Sequence, residues 1–131
     1  MIGLDTNILV RYLTQDDPLQ SVKATEIIER RLTEETPGFV SIVAMVETVW
    51  VLDRAYRLPA HKIAAAVERM LQTDVLVIEN EQEVFTAMIA LKEGQGSFAD
   101  SVIAALGVRA GCSCTLTFDH KAARLRGFEL P

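Results

Sequence analysis

The sequence predicts an α/β protein in which a short parallel sheet of about five strands carries helices on both faces. Short apolar segments alternate with longer segments of helical periodicity along the chain. The apolar segments show no regular alternation with polar residues, which is typical of strands covered on both faces. The 131 residues contain no repeat, linker or low-complexity segment, so we expect one domain over residues 1–131.

The first half of the chain supplies most of the predicted elements. Strands are expected at residues 2–4, 39–41 and 75–78, and helices at residues 7–13, 18–33, 42–57 and 60–72. Pro18 suits the first turn of the second helix, with Asp16 or Asp17 as its cap. Ser41 is the expected cap of the helix over residues 42–57.

The second half continues the same pattern. Helices are expected at residues 80–93, 98–110 and 120–125, and strands at residues 114–118 and 128–130. Gly111 ends the helix before it, as glycine commonly does. The segment GQGSFA, residues 94–99, resembles a dinucleotide-binding fingerprint, but it follows a helix rather than a strand, so we exclude that function.

Charge and composition narrow the class of protein. The net charge of −5 argues against a protein that coats nucleic acid by bulk attraction, although a nuclease whose acids bind metal ions is compatible with it. We expect no transmembrane helix and no signal peptide. Cys112 and Cys114 are too few for a zinc site and poorly spaced for a disulfide, which favours a reduced, cytoplasmic protein.

Four carboxylates occupy positions where such a fold concentrates its chemistry. Asp5 and Asp119 each follow a predicted strand, Asp100 begins a helix, and Glu47 lies within an apolar helix. In parallel sheets, sites form beyond the carboxyl ends of the strands. Carboxylates that converge there stay ionised only when cations neutralise them. Oxygen ligands without histidine or thiolate favour Mg²⁺, with Mn²⁺ as a substitute.

Each acid also has a purely structural interpretation. Asp5 and Asp119 could be helix N-caps, and Ser97 with Asp100 could form a capping box. Glu47 could face water on one stripe with Arg54, or it could meet a cation from elsewhere in the fold. For each acid, the sequence leaves both the structural and the metal-binding interpretation open.

The motifs MIGLDTNILVRYL, SIVAMVETVWVL, FADSVIAAL and TLTFD, taken in order, resemble a PIN domain, and in particular the VapC-type toxins. The resemblance extends from residue 2 to about residue 129. It implies a PIN-like three-layer sandwich and a Mg²⁺-dependent endoribonuclease that hydrolyses RNA with a metal-activated water. It assigns Asp5, Glu47, Asp100 and Asp119 as catalytic and metal-binding residues, with Thr6, Asn7 and Thr117 orienting the carboxylates or waters.

The resemblance also implies partners. VapC-type toxins commonly form homodimers, and a VapB-like antitoxin holds them inactive in a higher assembly. His120 stands where many relatives carry arginine or lysine, a departure that concerns substrate contact and not the metal site.

Two other functions share some of these features. One is a metal-dependent phosphatase of a small substrate, although Asp5-Thr6-Asn7 lacks the second aspartate of a D-x-D motif. The other is a non-catalytic PIN-like interaction module whose acids only cap helices. Trp50 and Tyr56 are interpreted as core or interface residues rather than base-stacking platforms. Several arginines could contact phosphate or simply face water: Arg11, Arg54, Arg57, Arg124 and Arg126.

Overall fold

The computed structural model describes all 131 residues, with six α-helices and five short strands. Strands and helices alternate and every strand pairing is parallel, which confirms the predicted α/β class. The chain packs as two compact units, Met1–Asn80 and Glu81–Pro131. The prediction that residues 1–131 form a single domain stays a prediction.

The first unit contains three strands and four α-helices. In chain order they are β1 (Ile2–Gly3), α1 (Thr6–Thr14), α2 (Pro18–Glu26), β2 (Gly38–Val40), α3 (Ile42–Arg54), α4 (Ala60–Leu71) and β3 (Leu76–Ile78). A π-helical segment, Ile27–Arg31, follows α2 directly.

The strands of the first unit form a parallel sheet in the order β1-β2-β3. Ile2 pairs with Gly38, and Gly38 pairs with Leu76 on the other side. Val40 on the central strand is fully buried, as expected for a strand covered on both faces. The edge strand β3 differs, since Val77 is exposed between buried Leu76 and Ile78.

Helix starts in this unit follow the sequence closely. Asp17, rather than Asp16, caps α2, because its Oδ1 accepts hydrogen bonds from the backbone N–H groups of Leu19 (3.0 Å) and Gln20 (2.8 Å). The Oγ of Ser41 accepts from the N–H of Ala44 at 3.0 Å, so the predicted cap of α3 is confirmed.

Two predicted helices of the first unit end too late. The helix expected over residues 18–33 stops being α-helical after Glu26, and the Leu32 N–H donates to the Ile27 carbonyl at 2.9 Å, five residues back. The helix expected over residues 42–57 ends at Arg54. Arg57 has a φ of 51°, a left-handed conformation that a right-handed helix cannot contain.

The second unit contains α5 (Glu81–Lys92), α6 (Phe98–Arg109), β4 (Thr115–Leu116) and β5 (Phe128–Glu129). Helices α5 and α6 pack together, and Arg109 Nη1 lies 3.3 Å from Oε1 of the buried Glu83. Strands β4 and β5 form a parallel pair in which Thr115 faces Phe128. The core of this unit includes Phe128, packed with Ala104, Ala122 and Leu125.

The strands are shorter than predicted and fall into two hydrogen-bonded sheets, one of three strands and one of two. The strand expected over residues 114–118 is reduced to Thr115–Leu116, and the helix expected over residues 120–125 is a single 3₁₀ turn, Ala122–Arg124. Cys112 and Cys114 form no disulfide. No helix has the length and apolar character needed to span a membrane.

Candidate functional site

Asp5 lies where β1 gives way to α1. It is the N-cap of α1, and its Oδ1 accepts a hydrogen bond from the backbone N–H of Thr6 at 2.7 Å. A usual N-cap side chain bonds to the second or third N–H of its helix, whereas Asp5 bonds only to the first. The Asp5 side chain is exposed, as is that of Asn7, while Thr6 is buried. Capping therefore uses only one of the two carboxylate oxygens of Asp5.

Glu47 lies on the exposed face of α3. The opposite face of the helix is buried through Ala44, Met45, Thr48, Val49 and Leu52. Glu47 takes part in none of the chain's ion pairs, which involve other carboxylates. Of the two interpretations left open by the sequence, the structure shows the one in which Glu47 faces water. No cationic side chain of the chain neutralises its charge.

Asp100 lies in the first turn of α6 and is half-buried. The Oγ of Ser97 accepts a hydrogen bond from the backbone N–H of Asp100 at 3.1 Å, which is one half of a capping box. The reciprocal bond from the Ser97 N–H to the Asp100 carboxylate is not formed. The backbone N–H of Asp100 thus takes part in the N-cap of α6, whereas its carboxylate forms no capping hydrogen bond.

Asp119 follows β4 at the start of the turn that leads to the 3₁₀ segment. Its Oδ1 accepts a hydrogen bond from the Lys121 N–H at 2.8 Å, which forms an Asx turn. The 3₁₀ segment begins after Lys121 and has no side-chain cap, so the expectation that Asp119 is a helix N-cap is wrong. The Oγ1 of Thr117 accepts from the N–H of Asp119 at 3.0 Å. Thr117 therefore fixes the backbone that carries Asp119, while the exposed carboxylate retains a second oxygen.

Glu79 is an acid at a strand end that was not among the predicted site residues. It directly follows β3, and its Oε1 accepts a hydrogen bond from the backbone N–H of Ile42 at 2.8 Å. Its own N–H donates to the carbonyl of Val40 at 2.9 Å. The rule that selected Asp5 and Asp119 would also have found Glu79. Its carboxylate holds the first turn of α3 in place, which is the helix that carries Glu47.

The predicted acids divide evenly between the two units. Asp5 and Glu47 belong to Met1–Asn80, and Asp100 and Asp119 to Glu81–Pro131. Continuing the β1–β2 register places Asp5 opposite Ser41, so α1 and α3 begin at the same edge of the sheet. Neither unit by itself contains a group of three or more histidine, cysteine, aspartate or glutamate side chains that could hold a metal ion.

The chemistry of these acids suits a hard divalent cation. All four are carboxylates, and internal hydrogen bonds occupy one oxygen of Asp5 and one of Asp119. Each acid therefore keeps at least one oxygen for a ligand, and Mg²⁺ favours such oxygens. The carboxylate oxygens of these four acids are therefore suitable ligands for Mg²⁺, the ion predicted from the sequence.

Arg11, Tyr56 and Asp16 form a further polar cluster in the first unit, and these side chains bind one another. Arg11 Nη1 donates to the Tyr56 hydroxyl at 2.9 Å and lies 3.2 Å from Asp16 Oδ1. The Tyr56 hydroxyl in turn donates to Asp16 Oδ2 at 2.6 Å. This bond and that from Thr14 lower the pKa of Asp16 to about 2. Arg11, a candidate phosphate contact in the sequence, is therefore engaged within the protein.

Parallel strands with acidic side chains a few residues beyond their ends define a class of α/β protein whose chemistry lies at the strand ends. The family model of the PIN domain matches residues 2–127, and the chain belongs to the PIN-domain family. Proteins of this family are generally nucleases, acting on nucleic acid and typically using divalent metals. No curated protein matches the sequence.

Proposed function

We propose that the protein is a Mg²⁺-dependent endoribonuclease formed by a single PIN domain over residues 1–131. Family membership supports a nuclease, and the match includes residues of both units. The observation that carries the proposal is the state of the four acids. All are wholly or partly accessible, and none is neutralised by an internal cation.

In this proposal Asp5, Glu47, Asp100 and Asp119 are the catalytic acids and would hold Mg²⁺, with Mn²⁺ as a substitute. The ion, when bound, supplies a water of lowered pKa and offsets the charge of the phosphate. Thr117 supports the Asp119 backbone, and the Thr6 N–H orients the Asp5 carboxylate. Asn7 is exposed one residue beyond Thr6, where its amide can orient a water.

The structure gives a reason to prefer catalysis over a non-catalytic interaction module. In such a module the acids would serve as helix caps. Glu47 lies well inside α3 and caps nothing, and the Asp100 carboxylate does not complete its capping box. Exposed acids without a structural task are what a metal-dependent hydrolase needs.

We further propose that the protein is a VapC-type toxin, which a VapB-like antitoxin binds in the cytoplasm, and that it forms a homodimer and a higher assembly with the antitoxin. The motifs from residue 2 to about residue 129 support this role. The reading frame next to the gene tests it. A short frame encoding a DNA-binding protein is expected, and purification of the toxin from cells carrying both genes should recover the two proteins together.

The decisive experiment compares Asp5→Asn with Asp17→Asn. Both residues are helix N-caps, and asparagine caps about as well as aspartate, so neither change should alter stability by more than about 0.5 kcal/mol. We expect Asp5→Asn to reduce Mg²⁺-dependent RNA cleavage by roughly 100-fold or more, because one carboxylate ligand is lost. Asp17→Asn should cleave at the wild-type rate.

Cleavage is measured from the ends of a labelled RNA in Mg²⁺, in Mn²⁺ and in EDTA, with the melting temperature of each variant as the control for folding. Activity that persists in EDTA, or equal activity of the two variants, would contradict the proposal. Release of phosphate from a small phosphorylated substrate, without cleavage of RNA, would assign the phosphatase alternative instead.

A further inference from the structure

Helix α3 carries an exposed stripe made of Val43, Glu47, Trp50 and Arg54, which recur at helical spacing on one face. The Trp50 side chain is 59% exposed and Val43 is 72% exposed. Of the two roles expected for Trp50, core or interface residue, the core role is therefore wrong. An indole ring left in water loses the free energy that burial of its large apolar surface would provide.

A second exposed aromatic ring lies beside another predicted metal ligand. Phe118, which directly precedes Asp119, is 88% exposed. Among the aromatic residues only Trp50, Phe85 and Phe118 are exposed, and two of these three are neighbours of a predicted metal ligand. Trp50 lies one helical turn from Glu47, and Phe118 is adjacent to Asp119.

The charges around Trp50 favour a nucleotide over a protein as its partner. Glu47 precedes Trp50 by one turn and Arg54 follows it by one turn. Glutamate is depleted at protein interfaces, whereas single-stranded nucleic acid is bound by aromatic rings next to cations such as Arg54. The nearest carboxylate to Arg54 is that of the exposed Asp53 at 3.9 Å, a weak pair that leaves the guanidinium accessible to a phosphate.

We infer that Trp50 and Phe118 stack on nucleobases of the RNA and position the substrate beside the acids. The inference rests on the proposed nuclease function, because it assigns the exposed rings to the substrate of the acids beside them. In a duplex the bases are already stacked on each other and offer no free face, whereas an unpaired strand presents one at each nucleotide.

Because Trp50 is the only tryptophan, its fluorescence reports on this position alone. The wild-type protein in EDTA is titrated with oligo(A), with oligo(U) and with the duplex of the two. We expect quenching with the single strands and little change with the duplex. In a parallel titration with labelled oligo(A), Trp50→Ala and Phe118→Ala should each weaken binding by about 5- to 100-fold, and Trp50→Phe should retain most of it.

Phe85→Ala is the matched control. Phe85 is 53% exposed on α5 and adjoins none of the four predicted acids in sequence. It should bind oligo(A) like the wild type. Melting temperatures of all variants should be similar, since each removed ring is exposed. In cleavage assays the Trp50→Ala and Phe118→Ala variants should show a raised KM with little change in kcat, because stacking binds substrate rather than reacting atoms.

Wild-type affinity in both Trp50→Ala and Phe118→Ala, with no quenching by single strands, would overturn the inference. If Asp5→Asn still abolishes Mg²⁺-dependent cleavage in that case, the proposed function stands and only the stacking roles fail. If single strands quench Trp50 but the protein cleaves no RNA, the roles in binding stand and the nuclease fails. Self-association lost in Trp50→Ala, without an effect on RNA, would assign the ring to a contact between copies and overturn its role here.

Discussion

Asp16 and Asp17 are adjacent, yet they have different tasks. Asp17 caps α2, whereas Asp16 accepts hydrogen bonds from the hydroxyls of Tyr56 (2.6 Å) and Thr14 (2.7 Å). The sequence indicated that one of the pair is a cap but could not distinguish them. The distinction depends on Tyr56, which is 40 positions away in the chain and whose contact exists only after folding.

The low pKa of Asp16 predicts a defined dependence of stability on pH. Its pKa lies at about 2 in the folded protein, below the ordinary value of 3.8, because the Tyr56 and Thr14 hydroxyls favour the charged carboxylate. The unfolded chain therefore binds more protons between these two values, and stability falls as the pH drops from about 4 to about 2. Above that range the contribution is fully present.

Tyr56→Phe removes the larger of these two influences. We expect the variant to melt at a lower temperature than the wild type at neutral pH, and the difference should shrink as the pH falls toward 2. Melting curves recorded by circular dichroism across this range check the expectation. A difference that stays constant with pH would show that Tyr56 acts through packing alone.

Helix α3 shows why the sequence left the environment of Glu47 open. Apolar residues surround the helix on every side, including Val43, Val46, Trp50 and Val51, so periodicity does not identify a buried face. In the folded protein Met45 and Leu52 are fully buried, while Val43 and Trp50 face water. Which face of α3 is buried depends on the positions of the helices and strands that pack against it.

Two valines of α3 offer a matched test of this assignment. Val49 is buried and Val43 is exposed on the same helix. We expect Val49→Ala to lower the free energy of unfolding by about 2 kcal/mol through lost burial and a residual cavity. Val43→Ala should stay within about 0.5 kcal/mol of the wild type. Urea unfolding of the two variants measures both values.

Equal losses in the two variants would mean that Val43 is covered in solution. Since Val43 shares its stripe with Trp50, such a result would also place a protein surface on this face of α3. The comparison is insensitive to helix propensity, because both sites receive the same substitution in the same helix.

The ends of elements were the least predictable feature of the chain. The sequence located all six α-helices, since apolar periodicity extends over their whole length. It did not indicate that residues 27–31 form a π-helix or that Arg57 takes a positive φ. Both features depend on a few local hydrogen bonds and dihedral angles. Several residue types can adopt them, so the residue type does not identify them.

For the molecule as a whole, the sequence predicted the fold class and the family. The number of strands was also correct, but their grouping was not, because the strands are only two or three residues long. Asp5, Asp100 and Asp119 could be chosen because strand ends and helix starts are visible in the sequence. Glu47 was chosen because its neighbours one helical turn away include no cation. Their individual hydrogen bonds, such as the half-formed capping box at Asp100, follow from geometry that the sequence does not specify.

The acidic balance of the chain makes its stability a test of metal binding. With a net charge of −5, removal of repulsion among the carboxylates should favour the folded state. If Mg²⁺ binds only the folded protein, a concentration 100 times its Kd should stabilise it by about 2.7 kcal/mol. We expect the melting temperature to rise with Mg²⁺ in the wild type and much less in Asp5→Asn.

Differential scanning fluorimetry at constant ionic strength separates this effect from screening, since added Na⁺ can replace Mg²⁺ in the control. An equal rise in the wild type and in Asp5→Asn would indicate general screening of the negative charge. No rise at all would count against the carboxylates as ligands.

Gly38 sets which residues of the sheet can face one another. A Cβ atom there would lie 2.7 Å from Leu32 Cδ1 and 2.9 Å from Leu4 Cδ1. If β2 slipped by one residue during folding, the side chain of Phe39 or Pro37 would enter this space, and the two leucine side chains would have to move aside. The space at Gly38 thus favours the alignment of β2 that brings Asp5 level with Ser41.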